Sequence, residues 1–147
     1  MQADPEYVLD ATALVALINE EPGVEFLASV LPYAVISAVN LAEVVQWLRK
    51  GGMPAKTVAD TLTPLLTSKP VPFDEKLAYV AASIFERTQG HALSFCDCAC
   101  LALAVTRKAP VVTTAASWDK LGLGLKVMVI PGAEEPVPAF TENSSLP

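Results

Sequence analysis

Tyr7-Val8-Leu9-Asp10 runs without a break into Ala11-Thr12-Ala13-Leu14-Val15-Ala16-Leu17-Ile18. The first four residues read as a short strand that ends in an acid, and residues 12–18 as a helix opening directly after it. Outward from this stretch, short apolar runs keep alternating with longer helical ones. That alternation predicts an α/β domain with a mainly parallel central sheet flanked by helices.

A second helix is predicted from near Glu21-Pro22, where proline suits a first turn. Tyr33–Ile36 reads as a strand, and Ser37 caps a helix over about 38–49 that stops at Gly51-Gly52. Pro54 opens a helix through about Thr67, Val71-Pro72-Phe73 is a short extended piece, and Asp74 caps a helix through about Arg87. Ser94-x-x-Asp97 has the form of a capping box ahead of a helix reaching about Lys108. Val111–Thr114 is a strand, a short helix lies near 116–121, and Lys126–Ile130 is the last strand.

The 147 residues are one domain's worth of chain, assigned to 1–130. From Pro131 the composition changes, with Glu134-Glu135, Pro136 and Pro138, so 131–147 is read as an acidic, proline-containing flexible tail. No apolar run reaches the ~18 residues that would suggest a membrane span. The opening residues reach Asp4 and Glu6 without a basic stretch, so a cytoplasmic protein with no secretory signal is expected. Cys96, Cys98 and Cys100 complete no zinc signature and are read as small core residues.

Sixteen acids against ten bases give a net charge of −6. That balance opposes a nucleic-acid partner, because phosphate contacts rely on basic surface. A cluster of acids neutralised by bound cations would account for part of it. Four acids invite that reading. Asp10 ends the first strand, Glu43 lies nearly two turns into an apolar helix, Asp97 sits in the first turn of its own helix, and Asp119 follows the 111–114 strand. Buried charge is costly unless paired, hydrogen-bonded or holding a metal. In open α/β sheets, ligands bind beyond the carboxyl ends of the strands. Mg²⁺ and Mn²⁺ take such oxygen ligands and keep several waters. Each acid also has a plainer role available: a turn contact for Asp10, an ion pair for Glu43, the capping box for Asp97 and a solvated surface for Asp119.

Taken together, Val8-Leu9-Asp10-Ala11-Thr12-Ala13-Leu14, Ser37-Ala38-Val39-Asn40-Leu41-Ala42-Glu43-Val44 and Leu93-Ser94-Phe95-Cys96-Asp97-Cys98-Ala99-Cys100 resemble the three signature blocks of PIN-domain proteins, in particular the VapC toxins of toxin–antitoxin pairs. Pro72-Phe73-Asp74 and Val111-Val112-Thr113-Thr114 fit the same pattern, and the likeness spans about residues 6–130. The resemblance implies a Rossmann-like α/β/α domain whose acids hold Mg²⁺ or Mn²⁺ and cleave RNA. It also implies a homodimer and a cognate antitoxin. Asp10, Glu43 and Asp97 match the family's first three acids and are the implied metal ligands. The fourth usually follows a strand-Thr-x-Asp pattern; here Ala115 stands in its place and the next acid is Asp119. Asp119 then either replaces the missing carboxylate or leaves the position vacant. Thr12 and Thr113 are candidates to hydrogen-bond the carboxylates or metal waters, with ordinary turn and strand-end hydroxyls the plainer and preferred reading.

Rival chemistries fit less well. A dinucleotide fold needs a glycine-rich first turn, which Asp10-Ala11-Thr12-Ala13 lacks. A phosphoryl-aspartate phosphatase wants a second acid where Thr12 stands. The single histidine, His91, excludes a metal-independent ribonuclease built on paired histidines and is read as a surface loop residue. Bases for RNA lie mostly at helix ends, and Trp47 and Trp118 offer stacking faces, with core packing the alternative for Trp47. The other reading from a different class is a PIN-like protein that has lost catalysis and acts by binding a partner, which Ala115 and the net acidity favour.

Overall fold

The computed structural model describes residues 6–131. Beyond Pro131, the tail assigned to 131–147 lies outside the described residues. Four strands, β1 (Tyr7–Leu9), β2 (Ala34–Ile36), β3 (Val111–Thr113) and β4 (Val127–Val129), form one sheet in the order β2-β1-β3-β4. Every pairing is parallel: Leu9 lies opposite Ile36 on one side and Val112 on the other, and Thr113 opposite Val129. Helices α1 (Ala11–Ile18), α2 (Val24–Val30), α3 (Ala38–Lys50), α4 (Ala55–Leu62), α5 (Glu75–Arg87) and α6 (Phe95–Arg107) provide the crossovers and flanks. This is the α/β domain with a parallel sheet expected from the alternation, in the α/β/α arrangement that the resemblance implied.

Successive strand residues point to opposite faces, and that alternation divides the core. Val8 and Val111 pack with Leu77, Ile84 and Leu101 of α5 and α6. Their neighbours Leu9 and Val112 face the other way, onto Ala13 and Ala16 of α1 and Leu27 of α2. A third cluster joins Leu14 and Val15 to Val44 and Leu48 of α3 and Val58 and Leu62 of α4. A parallel sheet covered on both faces needs unbroken apolar strands, which is why the decisive opening stretch has no polar residue before Asp10.

The predicted caps form. Ser37 Oγ accepts from the Val39 N–H, Asp74 accepts from the Leu77 N–H, and Ser94 and Asp97 complete a reciprocal capping box. Other boundaries move for local reasons. The second helix starts at Val24, after Gly23 at φ +98°. The helix opening after Pro54 stops at Leu62 and does not reach Thr67, because Pro64 has no N–H to donate and its ring crowds the preceding turn. Leu31–Tyr33 is a 3-10 turn rather than the start of β2, and the short helix expected near 116–121 is a 3-10 helix over Ala116–Lys120. Val71 makes a single parallel bridge to Ser37. Among the described residues no helix is long and apolar enough to cross a membrane.

Candidate metal centre

Strand order creates the site before any side chain does. From β1 the chain crosses to β2 on one side, then returns to β3 on the other. The carboxyl ends of β1 and β3 therefore flank the point where connections diverge, the place where open α/β sheets leave a crevice. Asp10 follows β1 there, and Thr113 ends β3.

Asp10 is 3% exposed and is held by three donors. Its Oδ1 accepts from the Thr12 hydroxyl at 2.7 Å and from the Ala13 N–H at 2.9 Å, while Oδ2 accepts from the Thr113 hydroxyl. Thr12 Oγ1 in turn accepts from the Thr114 N–H at 3.0 Å, and Thr113 Oγ1 from the Ala115 N–H at 3.0 Å. Thr12 and Thr113, the two threonines weighed as partners for the carboxylates, thus tie the start of α1 to the end of β3 around one acid. Even with those donors, burial pushes the Asp10 carboxyl up from 3.8 to about 6, with the Asp97 charge adding to the rise.

Glu43 is half-buried on α3 and Asp97 half-buried at the start of α6. Burial likewise raises Glu43 from 4.5 to about 6; the Asn40 amide opposes the rise, and the charges of Asp97 and Asp10 reinforce it. The charge of Asp97 acts on both Asp10 and Glu43, that of Asp10 acts on Glu43, and among the described residues no base counteracts them there. Among the described residues the ion pairs are Lys56–Asp60 and Arg107–Glu6, neither of which involves the three. Asp97 Oδ2 accepts from the Ser94 N–H at 2.9 Å, and among the described residues no such bond engages its other oxygen. The capping role and a place beside Asp10 and Glu43 therefore coexist.

Asp119 stands apart. It is exposed on the Ala116–Lys120 turn and lines a cavity of about 180 Å³ with Leu101, Trp118 and Leu125. It is not among the charges that act on Asp10 or Glu43. Ala115 is half-buried against the α5–α6 core, one hydroxyl away from Asp10 through Thr113. Trp118 is buried, which removes it as a stacking platform, and half-buried Trp47 packs on the α3–α4 core. His91 is exposed, Cys98 and Cys100 are buried, and Cys96 is half-buried. One residue not foreseen from the sequence is Asn40, which is buried beside Glu43 and bonded to α6. Its signal was an amide one turn before Glu43 on the apolar side of a helix.

The donor chemistry suits a hard cation: among the described residues Asp10, Glu43 and Asp97 are carboxylates with no ion-pair partner. Among the described residues no three His, Cys, Asp or Glu side chains are gathered tightly enough to enclose an ion by themselves. Oxygen donors of this kind suit an ion that keeps several waters, as Mg²⁺ does.

Raised carboxyl pKa values carry a prediction about the metal-free protein. An acid that titrates higher folded than unfolded binds extra protons in the folded state between the two values. Its stabilisation is complete below the unfolded pKa and is lost as pH rises through the folded one. For Asp10 that window runs from 3.8 to about 6. The loss is up to about 3 kcal/mol, each tenfold in proton affinity being worth about 1.4 kcal/mol. In EDTA the melting midpoint is expected to fall between pH 5 and 7.5, and to fall less in Asp10→Asn. Melting curves of both proteins across that range check it; equal slopes would contradict it.

With fold and geometry in place, the class is an α/β/α domain bearing acids at a sheet switch point. The chain belongs to the PIN-domain family, whose model matches residues 7–121. By sequence comparison no curated protein matches it significantly. Solved structures with the same fold include a DNA-bound VapBC from Salmonella typhimurium, 18% identical, TM-score 0.69, covering 84% of this chain and 97% of that one. A toxin–antitoxin complex from Klebsiella pneumoniae is 16% identical, with TM-score 0.67 and coverage of 90% and 99%. VapC20 of Mycobacterium tuberculosis, a sarcin-ricin loop cleaving toxin, is 17% identical, with TM-score 0.66 and coverage of 80% and 95%.

Proposed function

We propose that this PIN domain is a Mg²⁺- or Mn²⁺-dependent endoribonuclease, the VapC-like toxin of a type II toxin–antitoxin pair. The observation that supports the reading most is that Asp10 and Glu43 are acids whose pKa values are raised by burial, with the Asp97 charge adding to both, while among the described residues no ion pair relieves any of the three. The proposed ligands are these three, with the fourth position either vacant at Ala115 or served by Asp119. A bound divalent ion lowers the pKa of a water and neutralises phosphate charge.

The chain's own residues supply orientation. Thr12, Ala13 and Thr113 fix both oxygens of Asp10, so the carboxylate does not have to reorganise when an ion arrives. Ser94 fixes one oxygen of Asp97, and among the described residues the other has no hydrogen-bond partner. The proposed partners are an RNA substrate, a cognate antitoxin and a second copy of the chain. Exposed Tyr79, Phe85 and Phe95 on α5 and α6 provide apolar surface for protein contact. The proposed location is the cytoplasm.

Cleavage of single-stranded RNA by the purified protein during a Mn²⁺ titration tests the assignment. Cleavage that appears with Mn²⁺ and disappears in EDTA supports it. The absence of the expected acid at position 115 favours the second reading, a PIN domain that binds a partner without catalysis. RNA left intact at every Mn²⁺ concentration would favour that reading.

A further inference from the structure

We infer that Asn40 is the positioning residue that sets Glu43 against the Asp97 helix and thereby governs the affinity of the crevice for a divalent cation. The inference rests on the metal-binding reading above and deepens it. Asn40 is 1% exposed, inside α3 where the surrounding residues are apolar. Both hydrogens of its amide are used: Nδ2 donates to the Cys96 carbonyl of α6 at 3.0 Å and to Glu43 Oε1 at 3.4 Å. Two acceptors on that side fix which way the amide faces. Its own carbonyl, Oδ1, is buried with no hydrogen-bond partner among the described residues.

For stability this is a poor choice of residue. An unsatisfied buried acceptor destabilises the fold, and neither partner of Asn40 depends on it. Cys96 O is a helix carbonyl that serves the amide four residues on, and half-buried Glu43 still reaches solvent. An apolar side chain would give up little. What only the amide provides is a link from the Glu43 carboxylate to the first turn of α6, the turn that carries Asp97. A donor that orients a carboxylate ligand in this way typically changes metal affinity 10–100-fold when removed.

The test uses Mn²⁺ alone, titrated calorimetrically into the full chain, with melting in EDTA as a second readout. The variants are Asn40→Leu, Glu43→Gln and the double variant. Asn40→Leu is expected to melt at or above the native midpoint in EDTA while its Mn²⁺ affinity falls about tenfold or more. In the Glu43→Gln background the same substitution is expected to change affinity less than about twofold, since a residue acting through Glu43 couples to it. Mn²⁺ affinity within twofold of native in Asn40→Leu, or an undiminished loss in the Glu43→Gln background, would overturn the inference. If Asn40→Leu does not fold, Asn40→Ala carries the same comparison. Failure of the native protein to bind Mn²⁺ would overturn the metal reading and this inference with it, and that result is read from the native titration alone.

Discussion

Asp10→Asn is expected to abolish RNA cleavage and, in the same protein, to raise the melting midpoint in EDTA. Loss of an outer hydrogen-bond partner at a metal site already costs 10–100-fold, so removing the charge of the proposed direct ligand should cost more than about 10²-fold. The stability change runs the other way. At neutral pH the native chain keeps a carboxylate ionised at 3% exposure, although burial has raised its pKa to about 6. Asparagine keeps the acceptor facing Thr12 and Ala13, presents an amide to the Thr113 oxygen, and carries no charge to desolvate. The gain is bounded by about 3 kcal/mol, the free-energy equivalent of that rise in pKa. Activity assays beside melting curves check both halves. A variant that loses activity and melts well below native would mark Asp10 as a structural turn residue instead.

The second large effect is expected at position 115. The Ala115 N–H rests on the hydroxyl that also holds Asp10, whereas Asp119 lies exposed beside the Trp118–Leu125 cavity. Ala115→Asp is therefore expected to tighten Mn²⁺ binding about tenfold, the equivalent of about 1.4 kcal/mol, and to raise cleavage. A fourth acid beside three others should also lower the midpoint in EDTA, through like-charge repulsion, and Mn²⁺ should restore it. Asp119→Asn, a change of one exposed acid, is expected to shift stability by no more than about 0.5 kcal/mol and to leave cleavage unchanged. The opposite pattern, with cleavage lost in Asp119→Asn and nothing gained in Ala115→Asp, would show that Asp119 supplies the fourth carboxylate.

How much of this was legible depended on the range of the interaction. Ser37, Asp74 and the Ser94–Asp97 pair announce helix starts because a cap is a contact across two or three residues, and each cap forms as expected. The apolar run through Tyr7–Leu9 reads as a strand from local residues alone, whereas its burial on both faces, Val8 against α5 and α6 and Leu9 against α1 and α2, follows from the packing. Pro64 carried a local signal too, but the apolar pattern around it pointed past the true end of α4 at Leu62. Contacts across the fold were another matter. Thr12 and Thr113 stand out as hydroxyls near acids, yet that both serve Asp10 depends on β1 and β3 being neighbours. Asn40 escaped notice because its stronger bond goes to a backbone carbonyl 56 positions away, which leaves no mark on residue type at the acceptor.

The central claim, that Asp10, Glu43 and Asp97 form a divalent-cation site, is tested most directly by anomalous scattering from crystals of the protein soaked in Mn²⁺. The account predicts a peak in the crevice beyond β1 and β3, within coordination distance of at least two of the three carboxylates and with waters completing the shell. No peak there, at a Mn²⁺ concentration that supports RNA cleavage in solution, would contradict it.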